Sequence, residues 1–181
     1  MVKNSYILLW LESPLQSWGD NAKFTHKQTL NFPTKSAVLG IILASMGRKG
    51  EQHELLKAFS STDMQVYAFS RTKEAAPKLF DFQTIGSGYN RSDKFQNLCI
   101  PKKSDGKNGD FDTSIIHKYY LQDAIFAVAL EVPNDYLDEV MDGLKQPVYS
   151  VFLGRKNCVP TEFIFQGVFA EQVQAKQHSY E

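Results

Sequence analysis

Cys99 and Cys158 are the only cysteines in this chain of 181 residues. They form neither a CxxC pair nor a cystine framework, so a reducing, cytoplasmic setting is expected. Long apolar runs are also missing. No stretch reaches the length that crosses a bilayer, and no membrane partner is expected. The run at 6–11 is only strand-sized, and Asn4 stands where a secretory leader would continue, so no secretion signal is read. His26, His53, His117 and His178 are scattered, none with another ligand residue at zinc spacing, so neither a metal nor a cofactor is expected. Nucleotide-binding fingerprints are absent too, because GSGYNR at 86–91 lacks the helix that should follow. Finally, there is no net charge: 20 Lys/Arg balance 20 Asp/Glu, which argues against a protein that coats DNA indiscriminately.

The distribution of charge says more than its sum. Residues 1–50 hold six Lys/Arg and two Asp/Glu, whereas residues 119–181 hold four and nine. Such polarity suits a polyanion on one side and a basic protein on the other, although chance clustering is the plainer account in a short chain.

With 43% hydrophobic residues the chain can bury a core, and its length suits one domain spanning 1–181. Residues 5–11 (SYILLWL) read as a buried strand ended by Ser13-Pro14. Thr34 caps an amphipathic helix, KSAVLGIILASMG, with Val38, Leu39, Ile42 and Met46 at helical spacing and Gly47 as its stop. A second helix covers 51–59. Strands follow at 64–70 and 79–85. A strong strand core, AIFAVALEV, lies within 119–132. A helix at 134–144 takes Asn134 as its cap, and short strands at 148–153 and 163–168 close the chain. The fold class is α+β. The order is close to β-α-β-β-α-β, the ferredoxin-like, RRM-like plan, which by itself assigns no function.

The segment 86–118 is far too polar to be core. From Arg91 to Lys118 it holds six Lys/Arg against four Asp, interleaved with Phe95 and Phe111, and Tyr89 precedes them. Connections this long in a compact domain are uncommon. Basic groups attract phosphate and aromatic faces accept unstacked bases, so the segment reads as an arm on single-stranded nucleic acid. A solvated hairpin is the bland alternative.

Other segments are weaker alone. Lys35-Ser36 opens the first helix, where free N–H groups and the dipole favour an anion, though a solvated lysine is commoner. Gly154-Arg155-Lys156 suits a phosphate or carboxylate, or is a charged turn. Trp18, beside Gln16 after the first strand, could stack on a base but more often such a residue plugs the core. His117-Lys118-Tyr119-Tyr120 is the one place resembling acid/base chemistry. There His117 could act as acid or base and Lys118 could stabilise a phosphorane, with Tyr119 or Tyr120 assisting, as in metal-free RNA cleavage. A strand-edge His bound to a carbonyl is the plainer reading.

Together, PLQSWG (14–19), FPTKSAVLGIILASMG (32–47), DFQTIGSGYN (81–90), HKYYLQDAIFAVAL (117–130) and PVYSVFLGRKNC-P (147–160) resemble, in this order, the Cas-five family of CRISPR-associated proteins, which includes the CasD subunit of type I-E Cascade. The resemblance runs from residue 6 to residue 167. It implies a RAMP-superfamily palm of ferredoxin-like form with a long β-hairpin thumb at about 88–118. It implies a non-catalytic subunit of a surveillance ribonucleoprotein for antiviral DNA interference. Such subunits grip the 5′ handle of the CRISPR RNA, cap the filament of backbone subunits and seat the large subunit. Target DNA is met only through the complex. In type I-E systems another subunit cuts the precursor, whereas in type I-C the related protein is the nuclease. Family members often continue past the end of this chain, so its C-terminal part is read as reduced or truncated.

The site implied for this chain joins distant residues. Lys35, Ser36, Arg155 and Lys156 would hold phosphates. Gly86, Gly88 and Gly154 would let backbone approach, and Tyr89 and Arg91 would clamp the thumb's base. Lys102 and Lys103 would touch guide or neighbour at its tip, while Gln16, Trp18, His117 and Lys118 complete the RNA-facing set. Two alternatives stand: a metal-independent endoribonuclease using His117, Lys118 and Tyr119, and an adaptor that binds only protein.

Overall fold

A computed structural model of the chain describes residues 4–19, 25–70, 76–85, 92–95 and 114–179. The fold is α+β, built on a mixed sheet whose spine is one very long strand. Strand β1 (Ser5–Gln16) is followed by two-residue strands β2 (Trp18–Gly19), β3 (His26–Lys27) and β4 (Thr29–Leu30). Helices α1 (Lys35–Ser45) and α2 (His53–Ser60) come next, then strands β5 (Met64–Phe69), β6 (Lys78–Ile85) and β7 (Ser114–Val132). Helix α3 (Asn134–Lys145), strand β8 (Phe165–Phe169) and helix α4 (Gln172–His178) complete the described chain.

β7, 19 residues long, organises everything else. Along one edge it pairs antiparallel with β1, from Ser5 opposite Val132 to Gln16 opposite Leu121. Its other edge is shared: β5 takes residues 125–130 and β6 takes 114–121, both antiparallel. β8 adds to the free edge of β1, again antiparallel. β3 runs parallel to β7 and sets His26 beside His117. The changeover between the two halves of β7 falls at Asp123, whose φ is 49° and which sits where the β1 register skips Pro14.

The apolar run in β7 is continuous because both faces of that half are covered. Ile7, Leu9 and Leu11 of β1, with Phe126, Val128 and Leu130 of β7, pack under α1, α2 and α3. Leu8, Ala127 and Ala129 face the other way, against Ala175 of α4. Among the described residues no helix is long and apolar enough to cross a membrane.

Several expectations are met. Thr34 caps α1 by accepting from the Ala37 amide, and Gly47 follows the helix at a φ of 70°. Others are corrected. Ser13-Pro14 does not end β1; the strand absorbs the exposed proline where the register skips and runs on to Gln16. Pro133, not Asn134, occupies the cap position of α3. Residues 148–153 are not a strand, because their amides go elsewhere: Val148 and Tyr149 donate to the Ser45 and Ala44 carbonyls at the end of α1, and Leu153 donates to Cys158. α4 follows a last strand after which no helix was expected, while residues 114–118, within the stretch read as a β-hairpin thumb, are the start of β7.

Candidate functional site

A cleft of about 500 Å³ opens between α1, the crossing segment 150–155 and the β2–β3 region. Its α1 wall is made of Ala37, Gly40, Ile41 and Ala44, which recur at helical spacing. Gly40 interrupts a helix interior, where glycine costs about 1 kcal/mol relative to alanine. Among the described residues no packing requires it: beyond its own helix a Cβ placed there meets no atom within 4 Å, and nothing beyond its chain neighbours meets one at Gly19 on the opposite wall. The fold leaves both glycines' space to the cleft.

Gly154 is different. Its φ is 107° and an added Cβ would lie 1.8 Å from the Ser17 carbonyl oxygen, so glycine there serves the fold. Ser17 in turn donates its amide to Leu153. Next to it, Arg155 borders the cleft but spends its donors on backbone: one terminal nitrogen donates to the Tyr119 carbonyl at 3.0 Å, the other to that of Lys27 at 2.8 Å. The fork therefore ties segment 150–155 to β7 and β3, and its role as a phosphate clamp is corrected to that of a tether whose charge still lines the cleft. Beneath this tether Cys158 is buried, and desolvation pushes its thiol above the usual value, partly offset by a backbone hydrogen bond with Arg155 and that residue's charge. Lys27 lines the cleft and was not singled out from sequence; no local pattern marks it, because a two-residue parallel bridge puts it there. Lys156 is exposed beside Arg155.

Three further residues expected at the RNA surface have other positions. Gln16 and Trp18 are fully buried. The Gln16 amide donates to the Leu11 and Ala124 carbonyls and accepts from the Trp18 indole at 3.0 Å, so no indole face is left for a base. Lys35 points away from the cleft, since two residues turn a helix wall by about 200°. Its ammonium donates to the Thr62 carbonyl. Ser36 is exposed and, four residues before Gly40, shares that side of α1.

A second cluster lies on the β6–β7 ribbon. Phe80 stands opposite Tyr119, and Phe82 opposite His117, while β3 brings His26 to the other edge. The histidines, scattered in sequence, come together: Nδ1 of His117 is 3.3 Å from Nε2 of His26. Lys118 faces the reverse side, as alternation along a strand requires, and its ammonium donates to Gln83 at 2.7 Å. His117 and Lys118 thus do not share a catalytic pocket, which removes the pairing on which the nuclease alternative relied. Among the described residues no group of three His, Cys, Asp or Glu is placed to hold a metal. Gly86, Gly88, Tyr89, Arg91, Lys102 and Lys103 lie outside the described residues.

Comparisons with known proteins agree on one family. The model of the CRISPR-associated protein (Cas_Cas5) family matches residues 6–181. The Cascade subunit CasD of the CRISPR system in Escherichia coli (strain K12) is 28% identical over 171 residues, covering 90% of this chain and 70% of that protein. A chain of a solved CRISPR RNA-guided surveillance complex superposes with a TM-score of 0.76 at 27% identity, over 97% of this chain and 67% of its own length. A crystal structure of a Cas protein gives a TM-score of 0.59, also at 27% identity, over 95% of this chain and 69% of that one.

Proposed function

Since this chain belongs to the CRISPR-associated Cas5 family, we propose that it is a non-catalytic, RNA-binding subunit of a CRISPR surveillance ribonucleoprotein. In this reading it grips the 5′ handle of the CRISPR RNA and caps the filament of backbone subunits in the cytoplasm. The large subunit would be seated beside it, and target DNA met only through the complex. The palm would be ferredoxin-like. What supports that plan is the order β8-β1-β7-β5, antiparallel throughout, with α1 and α3 packed on one face.

One observation carries the functional reading. Gly19 and Gly40 face a common cleft where none of the described residues fills the space they leave. A helix wall of small residues and a glycine opposite it admit a ribose–phosphate backbone, while the charges of Lys27 and Arg155 border the same space. An unpaired RNA end can enter such a groove and splay its bases, which a duplex cannot. Gly86, Gly88, Tyr89, Arg91, Lys102 and Lys103 of the arm would extend the surface, and Ser36 and Lys156 would lie at its rim.

The test is binding of synthetic repeat-derived RNA to the purified chain across a salt series, with EDTA present. Affinity should fall steeply and linearly on logarithmic axes, by about 0.7 per phosphate neutralised, with the RNA recovered intact. Affinity that stays flat from low to moderate salt would remove the phosphate reading. Cleavage that disappears in His117→Ala would instead establish the nuclease.

A further inference from the structure

We propose that Phe80, Phe82, Tyr119, His117 and His26 form a stacking platform for unpaired RNA bases, a second subsite that rests on the RNA-binding reading above. The β6–β7 pairing puts Phe80, Phe82, His117 and Tyr119 on one face of the ribbon, because directly opposed residues in antiparallel strands point the same way. Their rings form a connected set. Centroids lie 5.2 Å apart for Phe80 and Tyr119, 5.4 Å for Phe80 and His117, 5.5 Å for Phe82 and His117, and 4.5 Å for His26 and His117. Phe80 is 50% exposed and Phe82 55%. Half-exposed rings held by their neighbours offer faces at little entropic cost.

The occupant is argued from charge and continuity. By strand alternation Lys78 shares the platform's side of β6 with Phe80 and Phe82, whereas Asp81 and Lys118 oppose each other on the reverse side and Lys27 borders the cleft. The charge on the platform's side of β6 is therefore positive, which favours an anionic chain. The edge strand β3 joins the two subsites: Lys27 borders the cleft, and His26, the preceding residue, belongs to the platform on the opposite face of the sheet. A single strand leaving the cleft over that edge would pass from Lys27 to His26, neighbouring residues of β3. Imidazoles add N–H donors able to reach base edges or phosphate, which a purely apolar docking patch for protein would not need.

The experiment uses the full chain and a synthetic RNA carrying the repeat-derived 5′ end, with 2-aminopurine placed at each position in turn. Stacking quenches this base, so quenching on binding should appear at a limited set of positions. Phe82→Leu and Phe80→Leu keep apolar bulk but remove the π face. Each should restore fluorescence at those positions and weaken binding roughly five- to tenfold, while the salt slope stays as in the parent. Quenching unchanged in both variants, with RNA still bound, overturns the platform and leaves the cleft reading intact. Loss of co-purifying protein subunits with quenching retained would assign the patch to a protein and overturn it equally. No salt-dependent binding by the parent chain would remove the underlying reading itself.

Discussion

The guanidinium of Arg155 lies 4.6 Å from the centroid of the Tyr120 ring, and Tyr120 is buried. With its donors on the carbonyls of Tyr119 and Lys27, this arginine spans three backbone segments. Lysine supplies the charge but not the fork. Arg155→Lys should therefore cost about 2 kcal/mol, from charge-assisted hydrogen bonds and the lost cation–π contact. In a domain of this size the melting temperature should fall by roughly 4–8 °C. The salt slope of RNA binding should not change, because lysine keeps the positive charge that borders the cleft. An unchanged melting temperature with a shallower slope would reverse the assignment.

Gly40 separates helix stability from cleft function. Gly40→Ala should stabilise the chain by up to about 1 kcal/mol, since the new methyl meets nothing and the helix gains propensity. Gly40→Phe should leave the fold largely intact but fill the cleft, weakening RNA binding by about tenfold or more, the scale of one lost backbone or stacking contact. Thermal unfolding and fluorescence anisotropy measured on the same preparations read both effects. Equal RNA affinity for parent and Gly40→Phe would place the RNA elsewhere.

Much of the architecture was legible because periodicity and burial coincide. α1 and α3 follow helical spacing, and the core of β7 follows an unbroken apolar run. The start of β7, residues 114–118, was read with the arm because its residues are polar or only partly covered, whereas from Tyr120 onward the strand enters the packed core. Segment 148–153 looks like a strand because Val148, Val151 and Leu153 are apolar, yet the Val148 and Tyr149 amides bond the last carbonyls of α1 and Leu153 bonds Cys158 and Ser17, so no ladder forms. The meeting of His26 and His117 leaves no local trace, being a parallel bridge between residues far apart in the chain. Arg155 was found by residue type, but its role depends on carbonyls that only the fold brings near. One signal was available and passed over: a glycine in the middle of a helix, with alanines three before and four after it, marks a wall against which something else must lie.

The buried Gln16–Trp18 pair should behave as structure. Gln16→Ala orphans the Leu11 and Ala124 carbonyls and the Trp18 indole N–H at one stroke. A loss of about 2–4 kcal/mol is expected, measured by denaturant midpoint. RNA affinity per folded molecule should stay as in the parent. A stable Gln16→Ala protein with lost RNA affinity would return these residues to the binding surface.

Cys158 predicts the alkaline limit of stability. Its thiol is held above the ordinary value, chiefly by desolvation. In the unfolded chain the same thiol ionises near its usual value of 9.0, so there the unfolded state releases a proton that the folded state keeps. Stability from this group is whole below that pH and declines as pH rises toward the folded value. Cys158→Ala should flatten the decline while costing a small, pH-independent amount for the cavity. The same burial predicts that iodoacetamide at mild alkaline pH labels Cys158 only as fast as the chain opens, which peptide mapping resolves from any labelling of Cys99. Denaturant midpoints for parent and variant across the alkaline range decide the matter. Parallel curves would mean that the thiol is not the group whose burial is felt there.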